Sequence, residues 1–271
     1  MLESETHQPR IPGMRDGLRV IITAGAAGIG RVMAESFMVN GGRVVVSDLN
    51  AKAVADFNKA HPDHLALQAN AGSEDDAEAF MSQALAHLGG LDVLINNAGA
   101  SGPFSPLEEM DSDGWRLTTA VNLDGTFYHT KRAIPALRKA AAEHGEAFII
   151  NISSIAGRLA YPNHSPYSAT KWGIVGLTQT LSLELGRAGI RVNAIQPGIV
   201  AGPRIDNVAR SRAKELGISE EEAMAQALHN VGLGRTVTAQ DIANMALVLC
   251  SPLGHNIAGQ AISVCGHVYA I

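Results

Sequence analysis

Three things are scarce in this sequence, and each scarcity argues against a class of protein. Cysteine occurs only at Cys250 and Cys265 in a chain of 271 residues. No second pair stands ready to complete a zinc site and no secretory leader suggests oxidation, so both are expected to be reduced and buried, with no metal centre. Long apolar runs are missing as well. None approaches the roughly 18 residues that a membrane span needs, which makes a cytoplasmic protein without a membrane partner the expectation. Positive charge is in deficit, with 21 Lys and Arg against 26 Asp and Glu and a net charge of -5. That balance argues against nucleic acid or an anionic membrane as the main partner. The opening MLESETHQPRIPGM holds two prolines and no apolar core. It reads as a flexible arm over residues 1–15, neither a signal peptide nor an anchor.

Apolar material is abundant, at 46% of residues, and it alternates between two rhythms. RVIIT from Arg19 is a β-branched run, AGAAGIG a turn with little side chain, and RVMAESFMVNGG a stretch of helical spacing that stops at Gly41 and Gly42. RVVVSD then reads as a second buried strand. The alternation continues with a helix over 51–59, a strand over 65–68, a helix over 74–87 and a strand over 91–95. A long helix follows over about 111–142, with Pro135 as a candidate kink. Then come a strand over 147–152, the helix carrying Tyr167, a strand over 190–195, a helix over 239–249 and a last strand over 261–264. Strands recurring between helices of this length imply an α/β fold with a parallel sheet covered on both faces, here one domain over 16–271. Residues 202–234 break the rhythm. They are charged, with a helical core around 220–229, and read as a lid above the sheet.

In such a sheet ligands bind at the carboxyl ends of the strands, and the first turn meets phosphate at a helix N-terminus. Gly25, Gly28 and Gly30 occupy that turn, where a Cβ would block close approach of the backbone or clash at positive φ. About twenty residues on, Asp48 closes the second strand, placed to accept from adenosine ribose hydroxyls and to repel a 2′-phosphate. Ala27 and Leu49 beside it are uncharged, and the expected cofactor is NAD rather than NADP. Asn96-Asn97-Ala98-Gly99 follows the fourth strand, where small and amide residues let the chain pass close to a planar ligand while satisfying buried polar groups.

The chemistry is expected in SSIAGRLAYPNHSPYSATK, from Ser153 to Lys171. Tyr167 and Lys171 are four apart and share a helix face. A free tyrosine has a pKa of about 10; a fixed positive charge favours the phenolate and brings it toward the range of a general acid or base. Ser154, at the end of an apolar run, can polarise a carbonyl beside that phenol. Tyr and Lys at this spacing also occur by chance on solvated helix faces, so the pair gains meaning only from its surroundings.

Taken together, the glycine turn, Asp48, NNAG at 96–99, Asn122 in VNLDG, Ser154, Tyr167 with Lys171, and Pro197-Gly198 occur in an order that resembles the short-chain dehydrogenase/reductases from about residue 19 to 264. The resemblance implies a Rossmann fold with a doubly wound, seven-stranded parallel sheet, hydride transfer between a nicotinamide and an alcohol or carbonyl, and a homotetramer. It implies Tyr167 as general acid/base, Lys171 as its activator and holder of the nicotinamide ribose, Ser154 as the residue that positions the substrate oxygen, and Asn122 as support for a relay water. Cofactor contacts carried over with it are Gly25, Gly28, Ile29, Gly30, Asp48, Leu49, Asn70, Ala71, Asn97, Ala98, Gly99, Pro197, Gly198 and Val200, besides Tyr167 and Lys171. Four positions depart from the family's pattern. Ala24 stands at the first glycine of the turn, Asn70 where an aspartate is common, Gly202 where a threonine is frequent, and VCGHVYAI replaces the frequent VDGG ending.

The substrate is a small-molecule alcohol or ketone whose identity stays open among a sugar or polyol, a hydroxyacyl thioester and a hydrophobic ketone. Candidate contacts are residues 100–104, Arg158, Tyr161, His164 and Arg204. The cluster Arg204, Arg210, Arg212 and Lys214 reads either as an anion site or as a solvated face. Alternatives to an NAD-dependent enzyme are an NADPH-preferring ketoreductase, a catalytically silent dinucleotide-binding regulator and a scaffolding subunit.

Overall fold

The structure is a computed structural model that describes residues 9–269, without the side chains of residues 204, 211, 212 and 215. Seven strands run parallel: β1 (Arg19–Ile22), β2 (Arg43–Asp48), β3 (Leu65–Gln68), β4 (Val93–Asn96), β5 (Ala147–Ile152), β6 (Ile190–Pro197) and β7 (Ala261–Val264). Their order is β3-β2-β1-β4-β5-β6-β7, so the direction of winding reverses between β1 and β4. All carboxyl ends therefore open on one edge, and the crevice at the reversal is where a ligand fits.

Helices cover both faces. On one side α1 (Gly28–Val39), α2 (Ala51–Ala60) and α9 (Ala239–Leu249) bring Met33, Phe37, Phe57 and Ile242 against Val20, Ile22, Val46 and Ile95. On the other, α3 (Glu74–Leu88), α5 (Gly125–His144) and α6 (Ser165–Leu185) bring Phe80, Leu137 and Leu181 against Ile21, Val45, Leu94 and Ile149. Alternate strand residues serve opposite layers, and this is why the strands read as unbroken apolar runs. Every residue of β5 is buried. Between the layers runs a buried amide chain. Asn96 Nδ2 donates to Thr130 Oγ1 at 2.9 Å and to Asn151 Oδ1 at 2.8 Å, and Asn151 donates to Thr178 Oγ1 at 2.9 Å.

The helix expected over 111–142 is interrupted. It divides into α4 (Ser112–Thr119), a π-helical turn over Ala120–Asp124, and α5, which continues through Pro135. The wide turn coincides with two tertiary demands. Asn122 is bonded outside its own helix, and Gly125 lies so close to Ala71 that a Cβ would stand 2.5 Å from that carbonyl oxygen. A π-turn is the usual way for a helix to absorb such an extra residue.

The segment read as a lid forms a pair of helices, α7 (Pro203–Leu216) and α8 (Glu220–Leu228). Sequence periodicity indicated only the second. Among its described side chains the first buries Ala209 and Ala213, against Ala223 of α8, and charged residues obscure this narrow apolar stripe. Arg210 pairs with Glu220 at 3.3 Å; the side chains of Arg204 and Arg212 lie outside the described residues.

Of the arm read over 1–15, residues 1–8 lie outside the described residues, and the remainder is fastened rather than loose. Ile11 N–H donates to Asn40 Oδ1 at 2.8 Å, Asn40 Nδ2 donates to the Pro9 carbonyl at 3.0 Å, and Arg15 reaches the fully buried Asp92 at 2.5 Å. Asp92 also accepts from the Arg19 side chain and backbone. Burial alone would raise its pKa, but these hydrogen bonds outweigh it and hold the carboxyl below the usual range. Cys250 and Cys265 are free thiols, both buried, and burial pushes the Cys250 thiol well above its ordinary pKa. Among the described residues no helix is long and apolar enough to cross a membrane.

Candidate active site

The glycine turn after β1 is shaped by two different constraints. Gly28 has φ +55 and nothing within 4 Å of an added Cβ, so its need is conformational. Gly30 and Gly25 are needed for space. A Cβ on Gly30 would lie 2.2 Å from the Ala24 carbonyl oxygen and 2.6 Å from Asn97 Nδ2, and one on Gly25 would lie 2.7 Å from Val46 Cβ. Ala24, standing where the family has glycine, takes φ +50, a left-handed conformation that costs an L-residue about 1–2 kcal/mol. Asn97 holds it there, donating from Nδ2 to the Thr23 and Ala24 carbonyls at 3.0 and 2.9 Å. The Thr23 hydroxyl in turn accepts from the N–H groups of Asn97 and Ala98 at 3.0 and 2.9 Å.

The first turn of α1 lacks a side-chain cap, whereas Asn50, Ser73 and Thr238 cap α2, α3 and α9. Its free N–H groups face a cavity of about 700 Å³ lined by Gly28, Ile29 and Gly30 at that end. An uncapped helix start in a side-chain-free cradle suits a phosphate group. The same cavity is lined further along by Asn97, Gly99, Ser154, Tyr167 and Lys171, and across from them by Pro197, Gly198 and Val200.

At the far end, Lys171 Nζ stands 5.6 Å from the Tyr167 ring centroid and donates to the Ile152 carbonyl at 2.9 Å. Lys171 as a whole is buried. Ser154 is extended at the end of β5, and its Oγ accepts from the Ala156 N–H at 3.1 Å. Next to it, Ser153 Oγ donates to the Lys171 carbonyl at 2.8 Å, fastening the serine turn to α6. Asn122 braces the site from below. Its Oδ1 accepts from the Ala100 N–H at 2.7 Å, and its Nδ2 donates to the Ala100 carbonyl at 3.1 Å and to Thr170 Oγ1 at 3.0 Å.

Asp48, Leu49, Asn70 and Ala71 do not line the cavity. The Asp48 carboxylate is turned toward the glycine turn, accepting from the Ala26 N–H at 3.3 Å and from Asn50 N–H at 3.0 Å. Leu49 is exposed. Asn70 Oδ1 accepts from the Gly72 N–H at 3.0 Å, its own N–H bonds Asp76, and Ala71 lies under Gly125. Gly202, at φ +133, opens α7 on the cavity wall. Tyr161 and His164 also line it, as do Ile199, Ile205 and Val208. The last three escaped sequence reading because Ile199 stands alone outside any helix, and Ile205 and Val208 lie on α7, where charged residues mask the apolar spacing.

The C-terminal departure from the family pattern also acquires a place. Val268 forms an antiparallel bridge with Val231, its carbonyl accepts from Arg158 at 2.9 Å, and it packs with Ile155 and Cys265 in a small core behind the serine turn. Gly198 lies against Cys265, where a Cβ would meet the Cys265 Cα at 2.7 Å.

A doubly wound sheet with a glycine turn at its reversal and a Ser, Tyr and Lys cluster at the same edge defines a Rossmann-type enzyme class. A family model described as enoyl-(acyl carrier protein) reductase matches residues 24–266. The chain belongs to the short-chain dehydrogenase/reductase family, and is thus an oxidoreductase by descent. It is 33% identical over 216 residues to the L-fucose dehydrogenase of Oryctolagus cuniculus, covering 80% of this chain and 74% of that one. A 3-ketoacyl-(acyl-carrier-protein) reductase from Brucella melitensis complexed with NADH superposes with a TM-score of 0.82 at 29% identity, over 93% of this chain and 98% of the other. An actinorhodin polyketide ketoreductase with NADPH gives 0.85 at 31%, over 93% and 97%.

Proposed function

We propose that this chain is an NAD(H)-dependent oxidoreductase that interconverts a secondary alcohol and a ketone, with Tyr167 as general acid/base. The observation that carries the reading is a single cavity with the uncapped glycine turn at one end and Ser154, Tyr167 and Lys171 at the other. A nicotinamide dinucleotide, when bound, supplies the hydride acceptor or donor. Gly28, Ile29 and Gly30 would hold its phosphates, and Asn97, Gly99, Pro197, Gly198 and Val200 the path between. Asp48 would meet the ribose, with Leu49, Asn70 and Ala71 flanking the adenine end.

In oxidation Ser154 holds the substrate hydroxyl and Tyr167 removes its proton; in reduction Tyr167 returns it. The Lys171 ammonium offsets the phenolate charge at close range, and Asn122 keeps Ala100 and α6 in register while its remaining oxygen lone pair supports a relay water. General acid/base assistance is worth about 10²–10⁴-fold, so Tyr167→Phe should lower kcat at least about 100-fold while NADH still binds. The assay is NADH absorbance on a panel of cyclohexanol, L-fucose, sorbitol and a 3-hydroxyacyl thioester, with NADP in parallel. Near-normal turnover by Tyr167→Phe would refute the assignment.

Preference for NAD is supported by the Asp48 carboxylate beside the Ala26 N–H, where a 2′-phosphate would be repelled. The likeness to a ketoreductase with NADPH favours a second reading, an NADPH-preferring ketoreductase, and faster rates with NADP would select it. We further place the protein in the cytoplasm as a homotetramer. Support for association comes from the apolar face of α4, α5 and α6, where Trp115, Phe127, Trp172 and Leu183 are exposed.

A further inference from the structure

Aromatic residues make up 4% of the chain, yet three of them surround one histidine. The His164 ring is stacked on that of Tyr167, with centroids 4.7 Å apart and planes 15° from parallel. Tyr161 packs against it at 5.3 Å and Phe104 meets it edge-on at 5.6 Å. His164 is 8% exposed and lines the same cavity as Tyr167. Its Nε2 lies 2.5 Å from the Ser101 carbonyl oxygen. A carbonyl only accepts, so this nitrogen carries a hydrogen and donates it.

The position matters because of what α6 lacks. His164 is the N-cap residue of that helix, and no side chain caps its first turn. Tyr167 lies in that turn, where helices fray. Ring stacking on His164 stands in for the missing cap and opposes a swing of the phenol about χ1. The Nε2 bond performs a second task. It ties the segment after NNAG to the catalytic helix, beside a main-chain strap from the Ser105 N–H to the Asn163 carbonyl at 2.8 Å.

We infer that His164 is a positioning residue with two separable roles: its ring face holds Tyr167 for proton transfer, and its Nε2–H holds the 100–106 segment against the substrate. The inference rests on the proposed function and deepens it. His164→Phe keeps a ring and loses the donor, His164→Gln keeps a donor of similar reach and loses the ring, and His164→Ala loses both. A misplacement of about 1 Å can cost on the order of 10²-fold. With the fastest alcohol of the panel, His164→Gln should therefore lower kcat about 10- to 100-fold with KM within about threefold. His164→Phe should keep kcat within about threefold and raise KM about tenfold, the loss of one hydrogen bond. His164→Ala should show both changes, and all three should bind NADH as the parent does.

Unchanged kcat in His164→Gln, equal changes in all three variants, or loss of NADH affinity along with activity would overturn the inference. Should the His164 variants fail to fold, Phe104→Ala decides. Phe104 is exposed and supports only the edge of the histidine. Its removal should raise KM about threefold without changing kcat, and no change would overturn the inference. Tyr167→Phe runs in parallel. An active Tyr167→Phe refutes the proposed function itself, whereas an inactive one beside unaltered His164 variants refutes only the role of His164.

Discussion

Replacing Gly30 by alanine separates the two reasons for glycine in the first turn. The added Cβ would stand 2.2 Å from the Ala24 carbonyl oxygen, 2.6 Å from Asn97 Nδ2 and 2.9 Å from Gly25 Cα. Two of these neighbours are backbone, and the third is the amide that bonds the Thr23 and Ala24 carbonyls. Forcing a methyl into a packed site costs about 1–3 kcal/mol. Losing the two hydrogen bonds adds about 0.5–1.5 kcal/mol each, for about 2–6 kcal/mol in all. At about 2–4 °C per kcal/mol for a domain of this size class, Tm should fall by at least about 4 °C. NADH affinity should drop about tenfold as the turn is displaced, equivalent to one hydrogen bond. Gly28→Ala is the control. It has open space at φ +55 and should cost only the left-handed penalty of about 1–2 kcal/mol. Circular dichroism melts and NADH fluorescence titrations read both quantities. A Gly30→Ala protein as stable as Gly28→Ala, with unchanged NADH affinity, would refute the close-packing argument.

Ala24→Gly should raise Tm by about 1–3 °C, since glycine takes φ +50 without the steric cost that alanine bears there; an equal or lower Tm counts against strain at this position. Asp92→Asn should destabilise by about 1.5–3 kcal/mol at pH 7, because the partly exposed Arg15 and Arg19 lose charged hydrogen bonds to a buried carboxylate. The folded pKa of Asp92 is depressed, so its contribution is complete above the unfolded value of about 3.9 and is lost as pH falls through the lower folded value. Below about pH 4 the gap between parent and variant should therefore narrow in chemical denaturation; a gap independent of pH would contradict the assignment. Trp172→Glu places a charge on the exposed apolar face of α6 and should shift light-scattering mass toward smaller species, whereas an unchanged mass would remove that face from the interface.

Much of the fold was legible because a parallel sheet writes its strands in plain form. RVVVSD and AFIINI are buried on both sides, and the strands found there, Arg43–Asp48 and Ala147–Ile152, match those runs. The helix over Ala239–Leu249 was equally clear between Thr238, its N-cap, and Cys250. The π-turn at Asn122 was not, since nothing in a helical period marks where an extra residue enters. Nor was α7, whose buried residues among those described are alanines. Of the site, the residues that line the cavity were largely visible as motifs, while Asp48, Leu49, Asn70 and Ala71 lie beyond its wall.

By itself the sequence determined the alternation of strands and helices, the glycine turn that only small residues can form, and the shared face of Tyr167 and Lys171. These are short-range matters, settled within a few residues by sterics and periodicity. Tertiary structure alone decided what stands next to them. His164 meets a carbonyl 63 positions away and Arg158 one 110 positions away, and the reversal of winding between β1 and β4 puts Asn97 against Ala24. Such contacts arise from packing of whole layers around a common core, and that depends on the complete set of faces rather than on any local stretch.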